Sequence, residues 1–303
     1  MGQLHLKRTD KSIILRAVIF TLLSFLMLAT VGVLVKLELK SGARVEWIVF
    51  FQFLTSLIAV LIISAKNNFR DLKSTKIRYH LIRGVCGVLA FLFFTLSISK
   101  IPLVNASLLN NTAPIFIPLV TLIWLKSRIE KKIWLGMLLG FAGIIFILDP
   151  KSGEFIKTGD LYGLLSGILL AVAYTAMGII SKTDSYITIL FYFSLISVII
   201  FFPFAILYWT EPGLKVWLYV IVSGLFVAAY IFFLQYAYSL VSAVKLSPLN
   251  FSVVVFTGLF DWIIFNQTPG IYTVIGIILV IAGGIIAITT HEKDNKNLKH
   301  HWQ

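Results

Sequence analysis

The stretch Asn105 to Pro118 reads NASLLNNTAPIFIP and lies inside an apolar run from about Leu103 to Leu125, long enough to cross a bilayer. A polar group left unpaired in hydrocarbon costs several kcal/mol, so these side chains must face water, a ligand or one another. At about 100° per residue Ser107, Asn110, Asn111, Pro114 and Pro118 fall on one face of a helix. Ser247, Asn250, Thr257 and Asp261 fall on one face of a second. Two such stripes facing each other would line a hydrated pathway and offer amides and hydroxyls to a polar solute. The alternative is interhelical hydrogen bonding, or bonding to carbonyls freed by Pro114. Asp261 is the carboxylate well inside an apolar span. It suits a cationic group or a coupling proton, unless it is an interfacial acid paired with a lysine such as Lys36.

Other residues are candidates on weaker patterns. Tyr174 and Tyr192 stand near span centres, where aromatic faces stack planar or cationic ligands, although packing is the commoner use. Arg83 begins a span beside Gly84 and reads as an interfacial anchor or a charge partner. Lys36 and Lys182 end equivalent spans, where lysines snorkel; gating is the other role open to them. Glycines Gly159, Gly163 and Gly167, and Gly136 with Gly140, follow a small-xxx-small spacing expected of close helix packing.

Catalytic groupings are not evident. The five histidines, His5, His80, His291, His300 and His301, fall in predicted loops or tails, and no His, Cys or carboxylate cluster lies in a span. No metalloprotease or nucleophile-elbow motif occurs, so neither a metal nor another cofactor is expected. The single cysteine, Cys86, can form no intramolecular disulfide and reads as a small core residue. The rival classes are an intramembrane enzyme, which needs such a cluster, and a non-transporting membrane scaffold, which needs no polar stripes.

The elements that must position these residues are membrane helices. Of 303 residues 59% are hydrophobic and 13% charged, against about 25% charged in soluble domains. The apolar residues run in ten blocks: 13–37, 46–64, 79–99, 103–125, 133–148, 159–180, 187–208, 216–238, 244–265 and 271–290. The fold class expected is all-α and polytopic. Residues 1–12 form a cytoplasmic N-terminus, 13–150 and 158–290 hold five spans each, and 291–303 form a polar cytoplasmic tail. With the N-terminus inside, 19 of the 26 basic residues fall on the cytoplasmic side, the bias that the positive-inside rule demands. That bias accounts for the net charge of +13 without nucleic acid; the surrounding partner is the lipid bilayer of a cytoplasmic membrane, around a monomer or homodimer.

The two halves repeat. At an offset of 140 Ser107 falls on Ser247, Asn110 on Asn250, Gly136 on Gly276 and Gly143 on Gly283. GVLVK ending at Lys36 matches GIISK ending at Lys182. Five spans per repeat is odd, so the second copy is inverted, with a substrate site expected near the midplane between the copies.

LIRGVCGVLAF, NASLLNNTAPIFIPL, SAVKLSPLNFSVVVF and IIFNQTPGIYTVIGIIL resemble, in order and across nearly the whole chain, the EamA-like ten-helix type of the drug/metabolite transporter superfamily. The resemblance implies secondary transport of a small metabolite by alternating access, proton-linked or by exchange. Where relatives often carry Glu after helices four and nine, Ser127 and Gln267 stand here, and Gln52 replaces an Arg in helix two, which puts charge coupling in doubt. Within the family RYHLIRG, ITILFYFSLISVIIFFPF and AYSLVSAVKLSPLNF most resemble S-adenosylmethionine uptake carriers of intracellular bacteria; export of amino acids or drugs is the alternative. The candidate substrate site takes Ser107, Asn110, Asn111, Tyr174, Tyr192, Ser247 and Asn250, with Asp261, Arg83 and Lys36 as candidate charge or coupling partners.

Overall fold

A computed structural model describes residues 11–66, 69, 72–126, 131–147, 157–181, 183–209, 211–240 and 246–300. The described residues form helices joined by short turns: α1 (Lys11–Lys40), α2 (Val45–Ala65), α3 (Ile77–Ile98), α4 (Leu103–Asn110), α5 (Ala113–Leu125) and α6 (Lys131–Ile147) form the first repeat. The second holds α7 (Thr158–Ile180), α8 (Tyr186–Leu207), α9 (Leu214–Leu240), a 3-10 turn (Ser247–Phe251), α10 (Ser252–Phe265) and α11 (Ile271–His300). Among the described residues seven apolar segments are long enough to cross a membrane, and shorter apolar stretches lie in α6, α10 and α11. The outer surface confirms the solvent: Ile62, Ile123, Ile199 and Leu218 are more than half exposed, as lipid-facing side chains are. Residues 291–300, expected as a polar tail, continue α11.

Pseudo-twofold symmetry is written into backbone contacts. A Cβ built on Gly143 would stand 2.9 Å from the Gly276 carbonyl oxygen, and one on Gly283 would stand 2.4 Å from that of Gly136. The residues of the second contact are those of the first with each partner moved to the other repeat. Only glycine permits α6 and α11 to approach so closely. Helix ends repeat as well. Lys126 and Asn266, 140 apart, cap α5 and α10 in the left-handed conformation at φ 51° and 52°. Their caps close on the carbonyls of Thr121 and Asp261, also 140 apart. Packing obeys the same exchange: α3 lies on α7 as α1 lies on α9, and α2 lies on α8.

The fourth element of each repeat is not one continuous helix, as the sequence pattern suggests, but a broken one. Pro114 has no N–H to give the Asn110 carbonyl, so α4 ends there and α5 restarts at Ala113. Thr112 N–H and Oγ both donate to the Leu109 carbonyl, at 3.2 and 2.6 Å, and close the junction. Pro248 similarly begins the 3-10 turn before α10. Gly163 and Gly167 of α7 receive this junction, with built Cβ atoms 2.7 Å from Leu109 Cβ and 2.6 Å from its carbonyl oxygen. The small-xxx-small series therefore has the packing role expected of it.

Candidate functional site

A central cavity of about 90 Å³ lies between the repeats. Its walls are pseudo-symmetric. Phe53 of α2 and Phe193 of α8 are 140 apart, as are Gly87, Ala90 and Phe91 of α3 and Val227, Tyr230 and Ile231 of α9. Leu28 of α1 is matched by Tyr174 of α7 at the offset that relates Lys36 to Lys182. The cavity therefore sits on the pseudo-twofold axis, beside both broken helices.

Its polar groups are not symmetric. Arg83, Ser107, Asn110 and Asn111 come from the first repeat; Tyr174, Tyr230 and Thr257 come from the second. Asn110 occupies the last turn of α4, and its Oδ1 accepts from Ser166 of α7 at 3.1 Å. Asn111, at the junction, donates its amide to the Ser107 carbonyl at 2.8 Å, so it both lines the cavity and steadies the break. Ser107 Oγ is buried without a partner. The hydroxyls of Tyr174 and Tyr230 are hydrogen bonded to each other.

Arg83 is buried rather than interfacial, 7% exposed. Its guanidinium lies 4.2 Å over the Phe193 ring, and Nε and Nη1 have no hydrogen-bond partner. Gly87, one turn on, makes room: a Cβ there would stand 2.4 Å from Nη1. Arg83 breaks the symmetry, because its counterpart at offset 140, Ser223, instead donates to Glu38 Oε1 at 2.9 Å.

Lys36 and Asp261 stand outside the cavity lining and form a lock. Lys36 Nζ donates to Asp261 Oδ1 at 2.7 Å and to Gln267 Oε1 at 2.8 Å, and lies 4.2 Å over the Phe265 ring. Asp261 Oδ2 accepts the Val104 N–H at 2.7 Å, tying the start of α4 to α10. Lys36 does not snorkel; it is 6% exposed and Asp261 is fully buried. Glu38 and Asp160 are further buried carboxylates on helices that periodicity alone did not single out. At this face α4 packs against α10; toward the other face, among the described residues, α5 and the 3-10 turn do not pack on each other to that extent. The Lys36 face is thus closed by an ion pair between the repeats, and at the opposite face the fourth elements of the two repeats lie further apart.

A second cluster occupies that opposite face. His80, expected in a loop, is buried in the first turn of α3 and meets Asp184 Oδ2 at 2.6 Å. Ser74 also donates to this oxygen. Hydrogen bonds from Ser74 and His80 outweigh desolvation and hold the Asp184 carboxyl below its ordinary range. Tyr192, expected at the substrate site, stacks 4.5 Å from the His80 ring instead and does not reach the cavity. Asn250 is partly buried with Oδ1 unpartnered, but the cavity is lined by its counterpart Asn110 and not by it. The Ser247 side chain, like Ser127 and Lys182, lies outside the described residues. Stripe and proline signals thus found Ser107, Asn110, Asn111 and Thr257; the phenylalanine pair 53/193 was detectable only through the repeat offset.

Comparison with known proteins agrees with the geometry. The EamA-like transporter family matches residues 15–149 and again 157–289. An S-adenosylmethionine uptake transporter of Rickettsia conorii (strain ATCC VR-613 / Malish 7) is 26% identical over 260 residues, 84% of this chain and 86% of its own. A pseudopaline exporter, CntI, of Pseudomonas aeruginosa (strain UCBPP-PA14) is 27% identical over 209 residues, 68% of this chain and 72% of its own. Among solved structures, a crystal structure of a protein shares the fold at TM-score 0.58 and 19% identity, over 93% of this chain and 97% of its own.

Proposed function

We propose a secondary carrier: the chain belongs to the EamA-like transporter family, and its central cavity would serve as the substrate site of an alternating-access cycle. The observation that carries this reading is a cavity on the pseudo-twofold axis, locked at one face while the fourth elements of the two repeats lie apart at the other. Rocking of one repeat against the other would break the Lys36–Asp261 lock and close the opposite mouth. By the distribution of basic residues the locked face is extracytoplasmic and both termini are cytoplasmic, in a cytoplasmic membrane. The state described here would then be inward-facing.

The substrate reading is uptake of S-adenosylmethionine. Aromatic walls from Phe53, Phe91, Phe94 and Tyr174 suit a purine and a cationic centre, and the amides of Asn110 and Asn111 suit its polar edges. An inside-negative membrane would favour entry of this cation by about 2.3 kcal/mol per charge per 100 mV. The relative named for S-adenosylmethionine supports this assignment; the relative named as an exporter supports export of an amino acid or another metabolite as the second reading. Labelled S-adenosylmethionine uptake by bacteria unable to import it distinguishes them. Saturable uptake that depends on expression is expected. Absence of uptake with the protein present in the membrane rejects the substrate.

A further inference from the structure

We infer that Arg83 is the receptor for an anionic group, a carboxylate above all, on the solute that enters the central cavity; the inference rests on the carrier reading for what that solute does next. A buried guanidinium is costly unless it is paired, and protein arginines so placed normally face an acid. Here Nε and Nη1 are buried without a hydrogen-bond partner, and among the described residues no carboxylate lies within ion-pair distance. Phe193 supplies a π-face at 4.2 Å, which offsets part of the desolvation but satisfies no N–H. The side chain is nevertheless well positioned. It lies over Gly87, where any larger residue would displace it, and it is part of the cavity wall.

Other buried acids are engaged elsewhere. Asp261 is held by Lys36 and the Val104 N–H, Asp184 by His80 and Ser74, and Glu38 accepts from Ser223. Ser107 Oγ adds a second orphaned polar atom to the same cavity, suited to a carboxylate oxygen or an adjacent ammonium. A guanidinium grips a carboxylate through two parallel N–H bonds, which fixes orientation as well as sign. The arrangement therefore selects solutes with a free carboxylate and aromatic or apolar bulk. A neutral amide or ester of the same shape leaves the arginine unpaired and is rejected.

The test uses purified full-length protein and matched probes: S-adenosylmethionine with its methyl ester, and phenylacetate with phenylacetamide. Each is titrated by thermal shift against wild type, Arg83→Met and Arg83→Lys. In wild type the carboxylates bind and their neutral analogues bind about 10- to 100-fold more weakly, the range for a hydrogen bond to a charged group. Arg83→Met abolishes that preference, and Arg83→Lys restores part of it. Without ligand, Arg83→Met melts higher than wild type, because an unpaired buried charge has been removed. The inference is overturned if neither carboxylate shifts wild type, if the analogues bind equally, or if Arg83→Met keeps the preference. Carboxylate binding without S-adenosylmethionine counterflow in proteoliposomes would reject that substrate's transport while leaving the receptor assignment standing.

Discussion

Replacement of Asp261 by Asn should unlock the face at which α1 ends. The carboxylate holds three elements together: α1 through Lys36, α4 through the Val104 N–H and its own α10, with both bonds at 2.7 Å. Removing one member of a buried ion pair costs about 3–5 kcal/mol, largely from the charge left behind. Gln267 still accepts from Lys36 and an amide still accepts from Val104, so the lower end, about 3 kcal/mol, is expected. An open mouth hydrates Lys36, so this cost falls on the locked state alone. At about 1.4 kcal/mol per tenfold, the equilibrium moves roughly 100-fold toward the open form. Thr257 lines the cavity one turn before Asp261 and reports on this. In a Cys86→Ser background Thr257→Cys should react with a membrane-impermeant maleimide from the Lys36 face about two powers of ten faster when Asp261→Asn is present. An unchanged rate, within a factor of two, would refute the lock.

Further outcomes follow from particular contacts. Gly283→Ala sets a Cβ 2.4 Å from the Gly136 carbonyl oxygen and 2.6 Å from the Gly140 nitrogen; backbone cannot yield, and thermal unfolding should show a loss of about 1–3 kcal/mol or more. Asn110→Ala should cut uptake strongly with membrane insertion unchanged, and Asn250→Ala less, because only Asn110 lines the cavity; equal effects would contradict this. Asp184 is held below its ordinary value of 3.8, so its contribution to stability is complete above that value and lost as pH falls through the depressed one. A melting profile against pH should therefore fall below about pH 4 in wild type and be flatter there in Asp184→Asn. Lys126→Gly removes a side chain from the left-handed region at φ 51° and should raise stability by up to about 1 kcal/mol.

Much of the architecture is legible in the residues. Apolar run lengths mark the spans, and the 140 offset between Gly136/Gly143 and Gly276/Gly283 marks the repeat that the crossed glycine contacts realise. Three polar residues of NASLLNNTAP reach the cavity because Pro114 breaks the helix beside them. What stayed hidden depends on tertiary partners. Arg83 and Lys36 sit near span ends, where long cations normally reach water, and only packing shows that each is buried. His80 looks like a loop residue until Asp184, more than a hundred positions away, arrives beside it. Tyr192 is apolar-flanked like Tyr174, but the pseudo-symmetry assigns the wall of α8 to its neighbour Phe193. Asp261 fulfils the paired-lysine alternative that its position near a helix end allowed.

Blocking the cavity after folding tests the central claim most directly. Ala90 is a small wall residue, and Ala90→Cys in a Cys86→Ser background, reconstituted in proteoliposomes, can be modified there with a benzyl thiosulfonate. S-adenosylmethionine counterflow should disappear on modification and return on reduction, and saturating S-adenosylmethionine should slow the modification. Undiminished counterflow through fully modified protein would show that the solute takes another route.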